Sequence, residues 1–152
     1  MASIGLNGDI SGKKYLSNNF HGKVGYVTQD VHLFEGSLRS NLLAGRNVSD
    51  KEIWSVLDKV EASGFVKAMG GLDIETLEAG RSLSGGQRRR LGIARVLISG
   101  CNILIFDEIT SGLDKVNKDA VFLLLEDLSK NNVVIIISHD SLGLLNYDEF
   151  KL

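Results

Sequence analysis

Ile103-Leu104-Ile105-Phe106-Asp107-Glu108 anchors the reading of this chain. Four continuous apolar residues are too few for a helix. Without polar alternation they predict a strand covered on both faces, as in a parallel sheet flanked by helices. Val133 to Ile137 is a second such run, predicted to be fully buried, and Lys118 to Ser129 between them has helical periodicity. Strand, helix, strand in that order implies a right-handed crossover and a parallel α/β sheet. Open sheets of this kind bind ligands beyond the carboxyl ends of their strands. Asp107-Glu108 and Ser138-His139 fall at those ends.

Working towards the amino terminus, Leu83-Ser84-Gly85-Gly86-Gln87 is a glycine-rich turn that opens a second helix, with Leu91, Ala94 and Leu97/Ile98 on its buried side. Ser37 to about Met69 is helical in pattern. Ser49 and Glu52 fit a capping box there, followed by Ile53, Val56/Leu57 and Val60 on one face, and Gly70-Gly71 ends the segment. Val24 to Thr28 reads as a short strand, and residues 3–10 as a hairpin or strand connection turning at Asn7-Gly8.

Composition sets the frame. The 152 residues are enough for one domain with a real core, and 43% hydrophobic with 24% charged residues is ordinary globular usage. Nineteen acidic against 17 basic groups leave a net charge of -2, so nucleic acid is not expected as a partner. No apolar run exceeds six residues, too short to span a bilayer, and no secretory signal opens the chain. Any membrane association must therefore come through a partner. Cys101 is the single cysteine, which rules out an intrachain disulfide and a cysteine-built zinc site; a buried, reduced thiol is expected. Proline is absent, so turns rest on the 17 glycines and on Asn, Asp and Ser.

Several residues could carry chemistry. A Mg2+-nucleotide needs an oxygen ligand for the metal and a group that orients the attacking water, and adjacent carboxylates at a strand end can serve both needs. Taken alone, Asp107-Glu108 fits a helix cap or a solvated turn equally well. Ser84 can cap its helix while Gly85 and Gly86 let backbone N–H groups approach an anion. Arg88, Arg89 and Arg90 crowd the first turn of that helix, where the macrodipole disfavours cations; a bound anion would offset the conflict, and a solvated basic face is the plainer alternative. His139 has no Cys or second His at metal-ligand spacing. His21 and His32 belong to no constellation and are expected on the surface.

It is the combination that is specific. Gln29, the Ser84 turn, Asp107-Glu108, Asp114 and His139 follow one another with 23 positions from Ser84 to Asp107 and 32 from Asp107 to His139. In that order and spacing the chain resembles, over nearly its whole length, the nucleotide-binding domain of an ATP-binding cassette (ABC) transporter of the exporter type. Val27-Thr28-Gln29-Asp30 is similar to the Q-loop, and Leu33-Phe34-Glu35-Gly36-Ser37-Leu38 through Asn41 to the segment that opens the helical subdomain. Leu83 to Gln87 resembles the signature, Ile103 to Glu108 the Walker B strand, Ser111-Gly112-Leu113-Asp114 the D-loop, and His139 the switch histidine.

The resemblance implies an α/β fold: a parallel-sheet P-loop NTPase-like core, incomplete here, with an inserted α-helical subdomain over about 37–98 and the Walker B to switch-histidine core over 101–140. ATP and Mg2+ are the implied cofactors. Asp107 would hold Mg2+ with Gln29, Glu108 would polarise the hydrolytic water, and His139 would contact the γ-phosphate. Ser84, Gly85, Gly86 and Gln87, with Asp114, would face nucleotide bound to a second such domain in a homo- or heterodimer. A transmembrane domain would be the other partner, placing the chain on the cytoplasmic side of the cell membrane and powering export.

Departures from the family pattern are Ile109 and Gly112, both mild, and the lack of a P-loop. Gly12-Lys13-Lys14 and Gly22-Lys23-Val24 contain the only Gly-Lys pairs; neither has a glycine five positions earlier, nor ends in Ser or Thr. The aromatic that stacks on adenine has no counterpart either. The expectation is a chain that starts just after the P-loop helix, near Ile4 to Leu6, and stops soon after His139. Alone it would then bind Mg-ATP weakly, turn it over negligibly and expose apolar sheet surface. The alternative is a non-catalytic binding module that donates its signature to a partner's ATP site.

Overall fold

A computed structural model describes residues 22–76 and 83–138. The expected hairpin at residues 3–10, the strand near Ile4 to Leu6, His21 and His139 lie outside the described residues. Among those described, three parallel strands form one sheet in the order β1 (Val24–Val27), β2 (Ile103–Asp107), β3 (Val133–Ile137). Register aligns Val24, Ile103 and Val133 in one row and Tyr26, Ile105 and Ile135 in another. The α/β reading of the sequence holds.

Residues 37–69 form three short helices, α1 (Leu38–Leu43), α2 (Asp50–Lys59) and α3 (Ser63–Met69). Each break has a local cause. Ala44 and Gly45 turn left-handed after α1, Glu61 does so between α2 and α3, and Gly70 at φ 117° ends α3. The Ser49–Glu52 capping box is formed in full at the start of α2, and Ile53, Leu57 and Val60 are buried as the periodicity predicts. Next comes α4 (Gly85–Ile98), capped by Ser84 and burying Leu91, Ala94 and Ile98. The last helix, α5 (Lys115–Ser129), begins three residues before the predicted Lys118, because the Asp114 side chain accepts from the Asn117 N–H and caps it there.

Among the described residues the core lies on one side of the sheet. Val27, Leu104 and Phe106 are buried there with Ile93, Ala94, Val96, Phe122, Leu125 and Leu128. Gly25 permits the approach: a Cβ on it would stand 2.0 Å from Val96 Cγ1 and 3.1 Å from Cys101 Cβ. Two expectations are corrected here. β2 is not covered on both faces, since only Leu104 and Phe106 are buried. β3 is not fully buried either: Val133, Ile135 and Ile137 are exposed, with Val24 and Tyr26 beside them across the sheet. The α4 layer takes one face, and among the described residues no helix lies on the other. Cys101, predicted to be buried, is half-buried at the entry to β2.

Candidate functional site

Beyond the carboxyl ends of β1 and β2, three separate stretches of chain meet. Asp107 closes β2, and its carboxylate accepts a hydrogen bond from the Tyr26 hydroxyl of the neighbouring strand. That bond, with the adjacent negative charge, pushes the phenol pKa up. Glu108 follows with φ at 50°, a left-handed conformation that costs a non-glycine residue about 1–2 kcal/mol. Its N–H donates to Ile137 O at 2.8 Å, so the end of β3 holds the turn in place.

Ser111 is the meeting point. Its N–H donates to Glu108 O at 3.0 Å. Its hydroxyl accepts from Gln29 Nε2 at 3.4 Å, and its carbonyl accepts from Arg89 Nη2 at 2.6 Å. Gln29 sits in the loop after β1, Arg89 in the second turn of α4, and Glu108 at the tip of β2. Beneath this loop Ile109 and Thr110 are fully buried.

The glycine-rich turn has the predicted local form. Ser84 Oγ accepts from the Gln87 N–H at 3.2 Å while Gln87 Oε1 accepts from the Ser84 N–H at 2.9 Å, a reciprocal cap that satisfies two otherwise unpaired donors. Ser84 and Gly85 are exposed, and no heavy atom lies within 4 Å of where a Cβ on Gly85 would stand. The turn therefore offers open backbone at a helix amino terminus. Gln87 spends its side chain on the cap. The three arginines do not form a solvated basic face: Arg88 donates to Leu83 O, Arg89 is buried, and Arg90 pairs with Glu61. Desolvation pulls the Arg89 pKa down, with Asp30 opposing it.

Asp114 is exposed, and both its carboxylate oxygens accept from Asn117 Nδ2. The Asn117 backbone N–H contributes most to holding its carboxyl below the usual range. Gln29 and Glu108 are thus brought together through Ser111, with α4 tied to them. Asp107 adjoins this group, Asp114 lies three residues beyond Ser111, and Ser84 to Gly86 stand at the start of α4, one turn before Arg89. His32 is exposed, as expected, though its carbonyl accepts from Arg95.

The donors present fit a hard divalent cation that draws most of its shell from elsewhere. Among the described residues no cluster of three or more His, Cys, Asp or Glu side chains could cage a metal. Mg2+ needs none, since it commonly takes one or two carboxylates and completes its octahedron with phosphates and water. Asp107 supplies one carboxylate. Gln29 engages its amide nitrogen with Ser111, which leaves its amide oxygen as a second oxygen donor.

Sequence reading singled out neither Ser111 as a hub nor a second feature, a groove of about 220 Å3 lined by Tyr26, Thr28, Val31, Phe34, Gly92 and Arg95. Phe34 is 69% exposed at its edge, with the Arg95 guanidinium 5.6 Å from the ring centroid. Arg95 in turn donates to Asn41 O at 2.9 Å and to His32 O. Asn41, buried, exchanges hydrogen bonds with the Phe34 backbone at 2.7 and 2.9 Å. The aromatic is therefore held outward by a fixed loop.

Comparison with known proteins identifies the family. The family model described as "ABC transporter" matches residues 4–111. An ATP-dependent lipid A-core flippase of Photobacterium profundum is 40% identical over 130 residues, covering 84% of this chain and 22% of that protein. The ABC transporter ATP-binding protein YwjA of Bacillus subtilis is 39% identical over 132 residues, 86% of this chain and 23% of its own length. A multidrug resistance ABC transporter ATP-binding and permease protein of Lactococcus lactis subsp. cremoris is 36% identical over 134 residues, 86% and 23% respectively. The chain spans about a quarter of the length of these curated relatives.

Proposed function

The chain belongs to the ABC transporter family, and on that premise we propose that it is a partial ATP-hydrolysing domain, running from the Q-loop to the switch histidine, that powers transmembrane export. The observation that carries this reading is the convergence of Gln29, Glu108 and helix α4 on Ser111. Three segments that resemble separate motifs of one ATPase share a single residue.

In this reading Asp107 and the amide oxygen of Gln29 would hold Mg2+, which when bound neutralises charge on the phosphates. Glu108 would orient the attacking water and draw its proton, its backbone fixed by Ile137 and Ser111. His139 would contact the γ-phosphate. The open N–H groups of Gly85 and Gly86, with the Ser84 turn, would face ATP bound to a second ATPase domain. Asp114 belongs to the loop that would line that contact. The helical subdomain would run over about 37–98 and the core over 101–140.

No described helix is long and apolar enough to cross a membrane. Membrane attachment would come through a transmembrane domain, docked at the Phe34 groove, with the chain on the cytoplasmic side. One of the relatives is named as an ATP-binding and permease protein, which supports a permease partner.

The 152 residues contain no Gly-x-x-x-x-Gly-Lys-Ser/Thr. Backbone amides and the lysine of that loop supply much of the phosphate cradle. As a separate polypeptide the chain is therefore expected to turn ATP over negligibly. Mixing it with a P-loop-bearing ATPase domain separates the two readings: stimulation of that domain's turnover favours the non-catalytic donor. In a transporter carrying this sequence, Glu108→Gln should slow hydrolysis about 10²–10⁴-fold. Unchanged turnover would remove Glu108 from the mechanism.

A further inference from the structure

Resting on the ATPase reading, we propose that Arg89 is a positioning residue: it ties the helix of the glycine-rich turn to Ser111 and so sets Glu108 and Gln29 relative to Ser84–Gly86. Arg88 and Arg90 on either side are half-buried and engage their surroundings at the surface of α4. Arg89 alone of the three is buried, at 9% exposure. Its Nη2 donates to Ser111 O at 2.6 Å, while its Nε has no acceptor within reach. A buried guanidinium with an unmet donor costs more than an apolar side chain filling the same space. Packing of α4 therefore does not account for it.

The interaction gained in return is specific. Ser111 also takes the Gln29 side chain on its hydroxyl and anchors Glu108 O through its N–H. Positions 29, 89 and 108 have no local reason to meet. Arg89 lies four residues into a regular 14-residue helix that begins at the glycine-rich turn. Any shift of that turn as it meets a ligand is passed along the helix to Arg89. From there it reaches the Ser111 carbonyl and the loop that carries Glu108. The link runs through one helical turn, one guanidinium hydrogen bond and the short turn from Glu108 to Ser111.

Amide hydrogen exchange on the whole 152-residue chain, without nucleotide, reads this link. Arg89→Leu should speed exchange across Glu108–Leu113 by about 10-fold or more, as expected for loss of a charged hydrogen bond. The amides of α1 and α2 should keep their rates. Arg89→Lys retains a charged donor of similar reach and should recover most of the protection. Should Arg89→Leu fail to fold, Arg89→Ala takes its place with the same expectation. Unchanged exchange in the 108–113 segment overturns the proposal, as does acceleration shared equally by every helix, or a Lys variant no better than Leu.

A second arm measures ATP turnover when the chain is mixed with a P-loop-bearing domain. Loss of kcat with KM for ATP unchanged in Arg89→Leu is the expected result. Full stimulation by that variant overturns the positioning role. No stimulation by the unsubstituted chain counts against donation of the Ser84–Gln87 turn to a partner's ATP, and the exchange result then decides the role of Arg89.

Discussion

Glu108 combines a backbone conformation that side chains resist with a carboxylate that the proposed chemistry needs. Its φ of 50° is held by the bond to Ile137 O and by the short turn closed at Ser111. Relief of the left-handed strain should offset the entropic cost of glycine, about 0.5–1 kcal/mol. Glu108→Gly should therefore melt at or slightly above the temperature of the unsubstituted chain, even though it deletes a charged side chain. A fall of several degrees in a thermal melt would mean that the carboxylate, not the backbone, holds the turn. At this scale the sequence was partly legible. Ser84 with Gln87 and Ser49 with Glu52 act over three residues, and both caps form as local chemistry dictates. Asp114 does the same for α5, and a reading that reserved it for ligand missed the cap. Ser111 was invisible for a different reason. Its importance comes from Gln29, 82 positions away, and Arg89, 22 positions away.

Elements are held by carboxylates at their ends and by close approach in their middles. The Ser49 hydroxyl lowers the Glu52 pKa, Arg39 lowers that of Asp73, the Asn117 N–H that of Asp114, and Lys130 that of Asp127. A depressed carboxylate pKa contributes stability above the unfolded value, near 4, and loses it as pH falls through the folded value. Melting temperature should hold from neutral pH to about 5 and decline below 4. A midpoint that rises on acidification would contradict this set of interactions. Gly25 tests the middles. Placing a methyl group 2.0 Å from Val96 Cγ1 forces β1 and α4 apart, and Gly25→Ala should cost about 1–3 kcal/mol in denaturant unfolding. Sequence patterning found the three strands, α4 and α5 to within three residues, and read α1, α2 and α3 as one helical segment. It could not see that a β-strand glycine marks a contact with a helix 71 positions further on.

For the whole molecule, the decisive feature is the asymmetry of the sheet. Continuous apolar runs at 103–106 and 133–137 were read as strands covered on both faces, because hydrophobicity reports what a strand can bury and not what lies against it. One face packs on α4 and the core. The other presents Val24, Tyr26, Val133, Ile135 and Ile137, each at least 44% exposed and aligned by the parallel register. In the described sheet β3 is an edge strand, so its unpaired backbone adjoins that apolar face. Exposed apolar surface next to a free edge favours self-association. Sedimentation velocity on the 152-residue chain should show a weight-average coefficient that climbs with concentration. Ile135→Lys places a charge at the centre of the face, where β-propensity costs no more than about 1 kcal/mol. It should flatten that dependence with little change in melting. If the unsubstituted chain sediments as a monomer at every concentration, the face is shielded and the argument from exposure fails. If Ile135→Lys associates as strongly, association runs through another surface. The Ile135 result therefore separates a sheet face that seeks cover from a chain that is merely poorly soluble.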